Sequence, residues 1–323
     1  MLKKMKLLKD EGKIIDWAED DADILIYVKP GKEEITDILS KYKIDEHNLN
    51  SALDPDELGR LELENDHIAL IFKRPKNYSS LDNLLFKITS VGCFLFKKKF
   101  IIILNEDIEI LSGRSVKKIH TLPEVLLKLI YGTISHFLGH LNTIHAISES
   151  LEDKIDASME NKYLLNMFML EKSLVYFFNG ISSNAVLFEK IKSNGRKIGF
   201  TKQNMEVLDD IVIENNQCYK QAEIYLNIIS GIMSAHASVV NNNLNIIIHR
   251  LTLINAIFMP LSVLTGIGGM SEWSMMTGAK NWMISYPLFL AGMAIVAFIT
   301  YKFLKNISFA AKTKKEKHNI TGK

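Results

Sequence analysis

Cysteine and proline are scarce in this chain of 323 residues, which holds two of the first and six of the second. Cys93 and Cys218 stand far apart, with no Cys-x-x-Cys spacing around either. That excludes a thiolate zinc cage and gives no basis for a disulfide framework in a reducing compartment. Three catalytic signatures are missing as well. There is no Gly-x-x-x-x-Gly-Lys-Ser/Thr phosphate loop, no Gly-x-Ser-x-Gly elbow and no His-Glu-x-x-His helix. ATP is therefore not the energy source, and hydrolase readings have no support. Gly266-x-Gly268-Gly269 imitates half of a nucleotide loop, but it follows an apolar run where a strand would be needed. A surplus of one charge sign is lacking too. Lys and Arg total 39 against 37 Asp and Glu, so the net charge of +2 points to no nucleic-acid partner. Lys3, Lys4, Lys6, Lys9 and Lys13 crowd the start of the chain, but no apolar segment follows them. No signal peptide is expected there.

What the C-terminal third lacks is charge. No charged residue occurs over the 21 residues from Leu251 to Ser271, nor over the 20 from Trp282 to Tyr301. A helix needs about 20 apolar residues to cross a bilayer core, so both stretches are long enough. The connecting loop carries only Glu272 and Lys280, whereas Lys302, Lys305, Lys312, Lys314, Lys315, Lys317 and Lys323 follow the second stretch. By the positive-inside rule, both termini are expected in the cytoplasm, with the chain passing twice through the plasma membrane.

Upstream, Ile24–Val28, His67–Phe72, Cys93–Phe96 and Phe100–Leu104 read as strands, the last two joined by a turn at Lys97-Lys98-Lys99. Glu33–Tyr42 and the segment after Glu46 read as helices. From about Leu122 the period becomes helical. Leu151, Ile155 and Met159 fall four apart, and Leu170, Leu174, Phe177 and Ile181 continue the spacing. Ser193-Asn194-Gly195 breaks the run, and Thr201 is placed to cap the next helix. That helix carries Met205, Val212, Tyr219, Leu226, Met233 and Val240 at intervals of seven. Leu208, Ala222 and Ile229 sit three further on, a second stripe interrupted by Asn215 and His236. Run on to Met259, the helix would be on the order of 90 Å long.

The expected fold is an α+β cytoplasmic domain, long stalk helices and a two-helix transmembrane hairpin. Residues 1–120 form the α/β domain and 121–245 the cytoplasmic stalk. The first span is 246–271, the extracytoplasmic loop 272–281, the second span 282–303 and the basic cytoplasmic tail 304–323.

The first span ends Ile257-Phe258-Met259-Pro260-Leu261-Ser262-Val263-Leu264-Thr265-Gly266-Ile267-Gly268-Gly269-Met270-Ser271. This resembles the signature of the CorA family of magnesium and divalent metal transporters, in which a Phe-hydrophobic-Pro-Leu helix ends in Ala-Gly-Ile-Tyr-Gly-Met-Asn. Gly266, Ile267, Gly269 and Met270 match, while Gly268 replaces the Tyr and Ser271 the Asn. Asp54-Pro55-Asp56-Glu57-Leu58-Gly59-Arg60-Leu61-Glu62 resembles the acidic-then-strand segment of the family's N-terminal domain. Trp282, Tyr286 and Pro287 resemble the opening of its second span. The family's acidic Met-Pro-Glu loop is replaced by Met275-Met276-Thr277-Gly278.

The resemblance implies a homopentameric funnel in the lipid bilayer, whose first spans line one central pore for divalent metal ions. It places Asn245, Ile248, Leu251, Met259 and Ser262 along the pore, and Gly269, Met270 and Ser271 at its outer mouth. Glu272 stands where it can supply negative charge to that mouth. The same resemblance puts Asp209 and Asp210 where the family carries an acidic residue for cytoplasmic metal sensing. The cargo it implies is a hydrated divalent cation, Mg2+ first, with Co2+ and Ni2+ open; no organic cofactor is expected. A zinc transporter of the same fold is an alternative, and so is a membrane-anchored structural or signalling protein. His136 and His140 lie four apart on one helix face with His145 beyond, a spacing able to hold zinc, but no Cys or carboxylate is near in sequence to complete a site. They read as packing or solvated residues.

Overall fold

The computed structural model describes residues 1–78, 83–108, 119–158, 161–270, 284 and 286–303, with backbone alone at 156–158. It divides into two compact units, Met1–Ser234 and Ala235–Lys323.

The first unit is built on one seven-stranded sheet. Its strands are β1 Leu2–Leu8, β2 Lys13–Asp16, β3 Ile24–Val28, β4 Arg60–Leu63, β5 His67–Pro75, β6 Ile88–Phe96 and β7 Phe100–Leu104. Their spatial order is β2-β1-β3-β7-β6-β5-β4. Every pairing is antiparallel except β3 with β7, where Ile24 faces Phe100 and Val28 faces Leu104. The β6–β7 hairpin closes over Lys97-Lys98-Lys99, with Phe96 N–H donating to the Lys99 carbonyl at 2.8 Å.

A central strand covered on both faces must be apolar at consecutive positions, and β7 reads Phe-Ile-Ile-Ile-Leu with all five residues buried. Ile101 and Ile103 face the helices α1 Lys32–Tyr42 and α2 Glu46–Leu53, sharing a cluster with Ile38, Leu49 and Ala52. Phe100, Ile102 and Leu104 face the other way, into the larger cluster with α3 Leu122–Ser158 and α4 Asn161–Ser193. Gly92 on β6 marks the tightest approach: a Cβ there would overlap the Cβ of Ala52 on α2.

A short helix, α5 Gly195–Ile198, turns the chain from α4 into α6 Lys202–Gly268, 67 residues long. Thr201 Oγ1 accepts from Asn204 N–H at 3.2 Å, the expected N-cap. The partners of α6 on α4 recede evenly from that turn: Lys192 with Asp209, Ile181 with Asn215, Glu171 with Ser230. The two helices therefore run antiparallel. Towards α3, Asn142 meets Gln221 and His145 stacks on Tyr225, a parallel pairing.

The buried seam of α6 is offset by one residue from the expected first stripe. It consists of Asn204, Leu208, Ile211, Asn215, Cys218, Ala222 and Ile229. Met205, Val212 and Tyr219 are only half-buried. Asn215, expected to interrupt the packing, lies inside it, its Nδ2 donating to the Ile181 carbonyl at 3.3 Å.

Within the second unit, α6 continues to Gly268 and a further helix, α7 Tyr286–Phe303, follows. Pro260 lies inside α6. Its ring nitrogen carries no hydrogen, so the helix loses one backbone bond there.

Candidate ion path and regulatory residues

Two helices, α6 and α7, are long and apolar enough to cross a membrane, and none of the residues in the most apolar stretch of either is buried within the chain. Leu251, Ile254, Phe258, Met259, Val263, Leu288, Leu290, Ile295, Phe298 and Ile299 are all exposed. Apolar surface on this scale is not left to water. It needs lipid, or other copies of the chain, as its solvent.

On α6 this surface is not uniform. At 100° per residue, Asn245, Ile248, Leu251, Met259, Ser262 and Gly266 fall within an arc of roughly 120°. Each of the six is exposed. The line begins with an amide, passes through aliphatic and thioether side chains, and returns to a hydroxyl and a bare backbone. Thr252 and Thr265 bond their hydroxyls back to their own helix, Thr252 to the Ile248 carbonyl and Thr265 to those of Leu261 and Ser262. The helix end is drawn tight by Gly269 N–H to the Thr265 carbonyl at 3.0 Å and Met270 N–H to that of Ile267 at 3.2 Å.

Gly268, where the family signature carries a Tyr, lies against α7. A Cβ added there would stand 2.8 Å from Cζ of Phe289. The phenyl ring occupies the space a side chain at 268 would need. Nothing comparable constrains Gly269, whose added Cβ would meet only the Thr265 carbonyl, at 3.4 Å, and that of Gly266, at 3.6 Å. Gly269 and Met270 follow the last residue of α6, and both are exposed. Ser271 and Glu272, and the replaced loop Met275–Gly278, lie outside the described residues.

In the first unit, Asp209 and Asp210 stand in the third turn of α6. Being adjacent, they point about 100° apart. Asp209 is half-buried and paired with Lys192 near the end of α4, at 2.6 Å. Asp209 in turn raises the basicity of that ammonium. Asp210 is exposed. Among the described residues, no group of three or more His, Cys, Asp or Glu side chains converges on a common point.

The acidic segment Asp54–Glu57 is fixed by a lysine that sequence reasoning passed over. The Lys73 side chain on β5 is buried, and its Nζ donates to the Pro55 carbonyl at 2.5 Å and to Ser90 Oγ at 3.1 Å. Ser90 in turn donates to the Asp54 carbonyl. Burial lowers the basicity of Lys73, while Asp54, Asp56 and Glu57 oppose that shift. The segment thus carries a resident cation. Gly59 N–H, just beyond it, donates to Ser183 Oγ of α4 at 2.7 Å.

Comparison with known proteins assigns this arrangement. The model of the family described as CorA-like Mg2+ transporter protein matches residues 20–306. The chain belongs to the CorA family. It is a divalent-cation transporter of membranes, not an enzyme. It is 24% identical over 287 residues to the cobalt/magnesium transport protein CorA of Methanocaldococcus jannaschii, spanning 86% of this chain and 88% of that protein. The complete structure of the CorA magnesium transporter from the same organism aligns at a TM-score of 0.73 and 20% identity, covering 94% of this chain and 96% of that one. The ZntB cytoplasmic domain from Vibrio parahaemolyticus aligns at 0.55 and 15% identity, over 75% of this chain and 97% of that domain. The CorA-like fold is thereby established: an α+β domain, long helices and two candidate membrane spans.

Proposed function

We propose that this CorA-family protein is a homopentameric channel that passes hydrated divalent cations, Mg2+ foremost, through an axis lined by α6. The observation that carries the reading is the exposed line from Asn245 to Gly266 on a helix otherwise suited to lipid. A simple anchor needs no amide, hydroxyl or bare backbone along one face.

Alternating polar and apolar rings are how channels combine selectivity with gating. Five copies would present a ring of Asn245 amides, apolar constrictions at Ile248, Leu251 and Met259, and a ring of Ser262 hydroxyls. Gly269, Met270, Ser271 and Glu272 would make the mouth. Mg2+ gives up its waters reluctantly and usually keeps several of them. Neutral oxygens can hydrogen-bond that shell without stripping it. The described line holds no imidazole or thiolate to hold Zn2+ directly, which favours Mg2+ over the zinc alternative. Two charges crossing 100 mV gain about 4.6 kcal/mol, so the membrane potential alone drives entry. Regulation by cytoplasmic cation is assigned to Asp210, with Asp209 held by Lys192.

The test is ion entry into proteoliposomes under an imposed inside-negative potential, with Mg2+, Co2+, Ni2+ and Zn2+ offered singly. Mg2+ entry that grows with the potential is expected. Entry of Zn2+ alone would replace the magnesium reading with the zinc one. Failure of all four ions to enter would leave an anchored protein with another task.

A further inference from the structure

Asn255 is the only amide side chain in either apolar run, Leu251 to Ser271 or Trp282 to Tyr301. It stands about 7.5 Å along α6 beyond Arg250, the last charged residue before the span. The residue is exposed, and among the described residues its amide has no hydrogen-bond partner. The threonines of the two spans all have one. Thr252 returns its hydroxyl to the Ile248 carbonyl, Thr265 to those of Leu261 and Ser262, and Thr300 on α7 to that of Val296. The chain thus presents an unpaired donor and acceptor within its most apolar helix. Burying such a group in hydrocarbon without a partner is costly, so lipid is the wrong neighbour for it. Asn255 calls for water or for another copy of the chain.

Its place on the helix says which. At 100° per residue, Asn255 falls inside the arc that holds Asn245, Ile248, Leu251, Met259, Ser262 and Gly266, about 20° from the middle of it. Its level matters as well. Asn245 and Ser262 lie roughly 25 Å apart along the helix, and the assigned line between them is Ile248, Leu251 and Met259. Asn255 divides that interval into pieces of about 15 Å and 10 Å. A Mg2+ ion with its six waters is about 7 Å across. An apolar passage of roughly 25 Å exceeds three such diameters, and hydrophobic constrictions close by losing their water. The two shorter pieces keep the hydrated ion near a polar ring throughout.

We propose that Asn255 is a further selectivity residue, five copies of it forming an amide ring that holds the hydrated divalent cation between the constrictions at Leu251 and Met259. This role rests on the pore reading above, to which it adds a binding level. An amide oxygen has two lone pairs and its nitrogen two hydrogens. In a closed ring each nitrogen can donate to the oxygen of the next copy, and each oxygen keeps a lone pair for a water of the ion. The ring is neutral, so it steadies the shell without trapping the charge. Together with Asn245 and Ser262 it makes a succession of weak sites, which conduction favours over a single strong one.

The experiment measures Mg2+ entry into proteoliposomes over a range of Mg2+ concentrations for the full-length protein, Asn255→Leu and Asn255→Asp. Oligomer size and melting temperature are checked for each. Asn255→Leu should lower entry about tenfold by lengthening the dry passage. Asn255→Asp puts carboxylates into the ring and should lower the half-saturating Mg2+ concentration about threefold or more. A packing role alone would not produce that shift. Asn255→Cys in the membrane-embedded oligomer should react with a small charged thiol reagent, and more slowly when Mg2+ is present. Full entry by Asn255→Leu would overturn the proposal, and so would an unchanged half-saturating concentration in Asn255→Asp; entry by the unmodified protein would leave the pore standing in both cases. Silence of Asn255→Cys beside a reactive Ser262→Cys would overturn it equally, and labelling decides where the other variants fail to assemble. No entry by the unmodified protein, with silence at both positions, would remove the pore itself and the ring with it.

Discussion

Asn184 on α4 holds both backbone polar groups of Lys73 on β5: its Oδ1 accepts the Lys73 N–H and its Nδ2 donates to the Lys73 carbonyl, each at 2.8 Å. The neighbouring strand β4 pairs with β5 only as far as Ile71. Beyond that point the edge of β5 would be left open, and the side-chain amide completes the ladder in place of a strand. The same residue, Lys73, ties down Asp54–Glu57 with its ammonium. One position on β5 thus joins the helical layer to the acidic segment.

Replacing Asn184 with Leu should therefore strand one buried donor and one buried acceptor. The expected loss is roughly 2–6 kcal/mol, at about 1–3 for each unpaired group. Thermal and chemical unfolding of the full-length protein measure it. A loss below about 1 kcal/mol would mean that the clamp is dispensable.

Gly268 and Gly269 are adjacent, but they should fail for different reasons when changed to Ala. Gly268→Ala meets the Phe289 ring and should lower the melting temperature, and Phe289→Ala should restore it. Gly269→Ala has room for its methyl and should leave assembly and melting unchanged while abolishing uptake. Full uptake by a correctly assembled Gly269→Ala protein would remove Gly269 from the mouth of the pore.

His136 should shape the acid limb of stability. Its basicity is lowered from 6.5 to about 4 by burial, by His140 and by Arg74. The unfolded chain therefore takes up a proton that the folded chain refuses between those two values. The resulting penalty is absent above pH 6.5, grows as pH falls towards 4, and stays constant below that. Glu106 shifts the opposite way, since burial favours its protonated form in the folded chain. The useful quantity is thus the difference between the unmodified protein and His136→Gln. That difference should narrow in favour of the variant as the pH drops from 6.5 to 4. A difference independent of pH would contradict the assignment.

Asp209 and Asp210 should separate in the same way. Lys192 already engages Asp209, whereas Asp210 is exposed. If cytoplasmic Mg2+ closes the channel through this turn, Asp210→Asn should weaken closure more than Asp209→Asn. Lys192→Met should leave stability little changed, as removal of exposed ion pairs generally does. Flux measured against internal Mg2+ decides, and equal behaviour of the two Asn variants would sink the distinction.

The core strands were legible because burial on both faces demands consecutive apolar residues, as in Ile24–Val28 and Phe100–Leu104. β1, Leu2–Leu8, was not. Its lysines extend to carboxylates at Asp107, Asp20 and Asp21, and their number hid the strand in the sequence. β4, a four-residue edge strand carrying Arg60 and Glu62, showed in no apolar run and was indicated only by the family resemblance of Asp54–Glu62. The second stripe of α6, Leu208, Ala222 and Ile229, is buried as expected, with Asn215 in its register, whereas the first is displaced by one residue to Asn204, Ile211 and Cys218, because an apolar pattern selects Met205 over its buried polar neighbour Asn204. The Lys192–Asp209 pair could have been found by folding α6 back on α4 about Gly195 and matching residues outward from the turn.

The central claim, that one face of α6 borders water shared by several copies, can be tested by thiol labelling. Cys93 and Cys218 are buried, with thiols made less acidic by burial, Cys218 up to about 12, so the native background is unreactive. Cysteine placed at Ser262 or Met259 in the membrane-embedded oligomer should react with a small charged thiol reagent, and divalent cation should slow the reaction. Cysteine at Ile257, on the opposite face of the helix, should not react. Equal silence at all three positions would contradict a water-filled axis along α6.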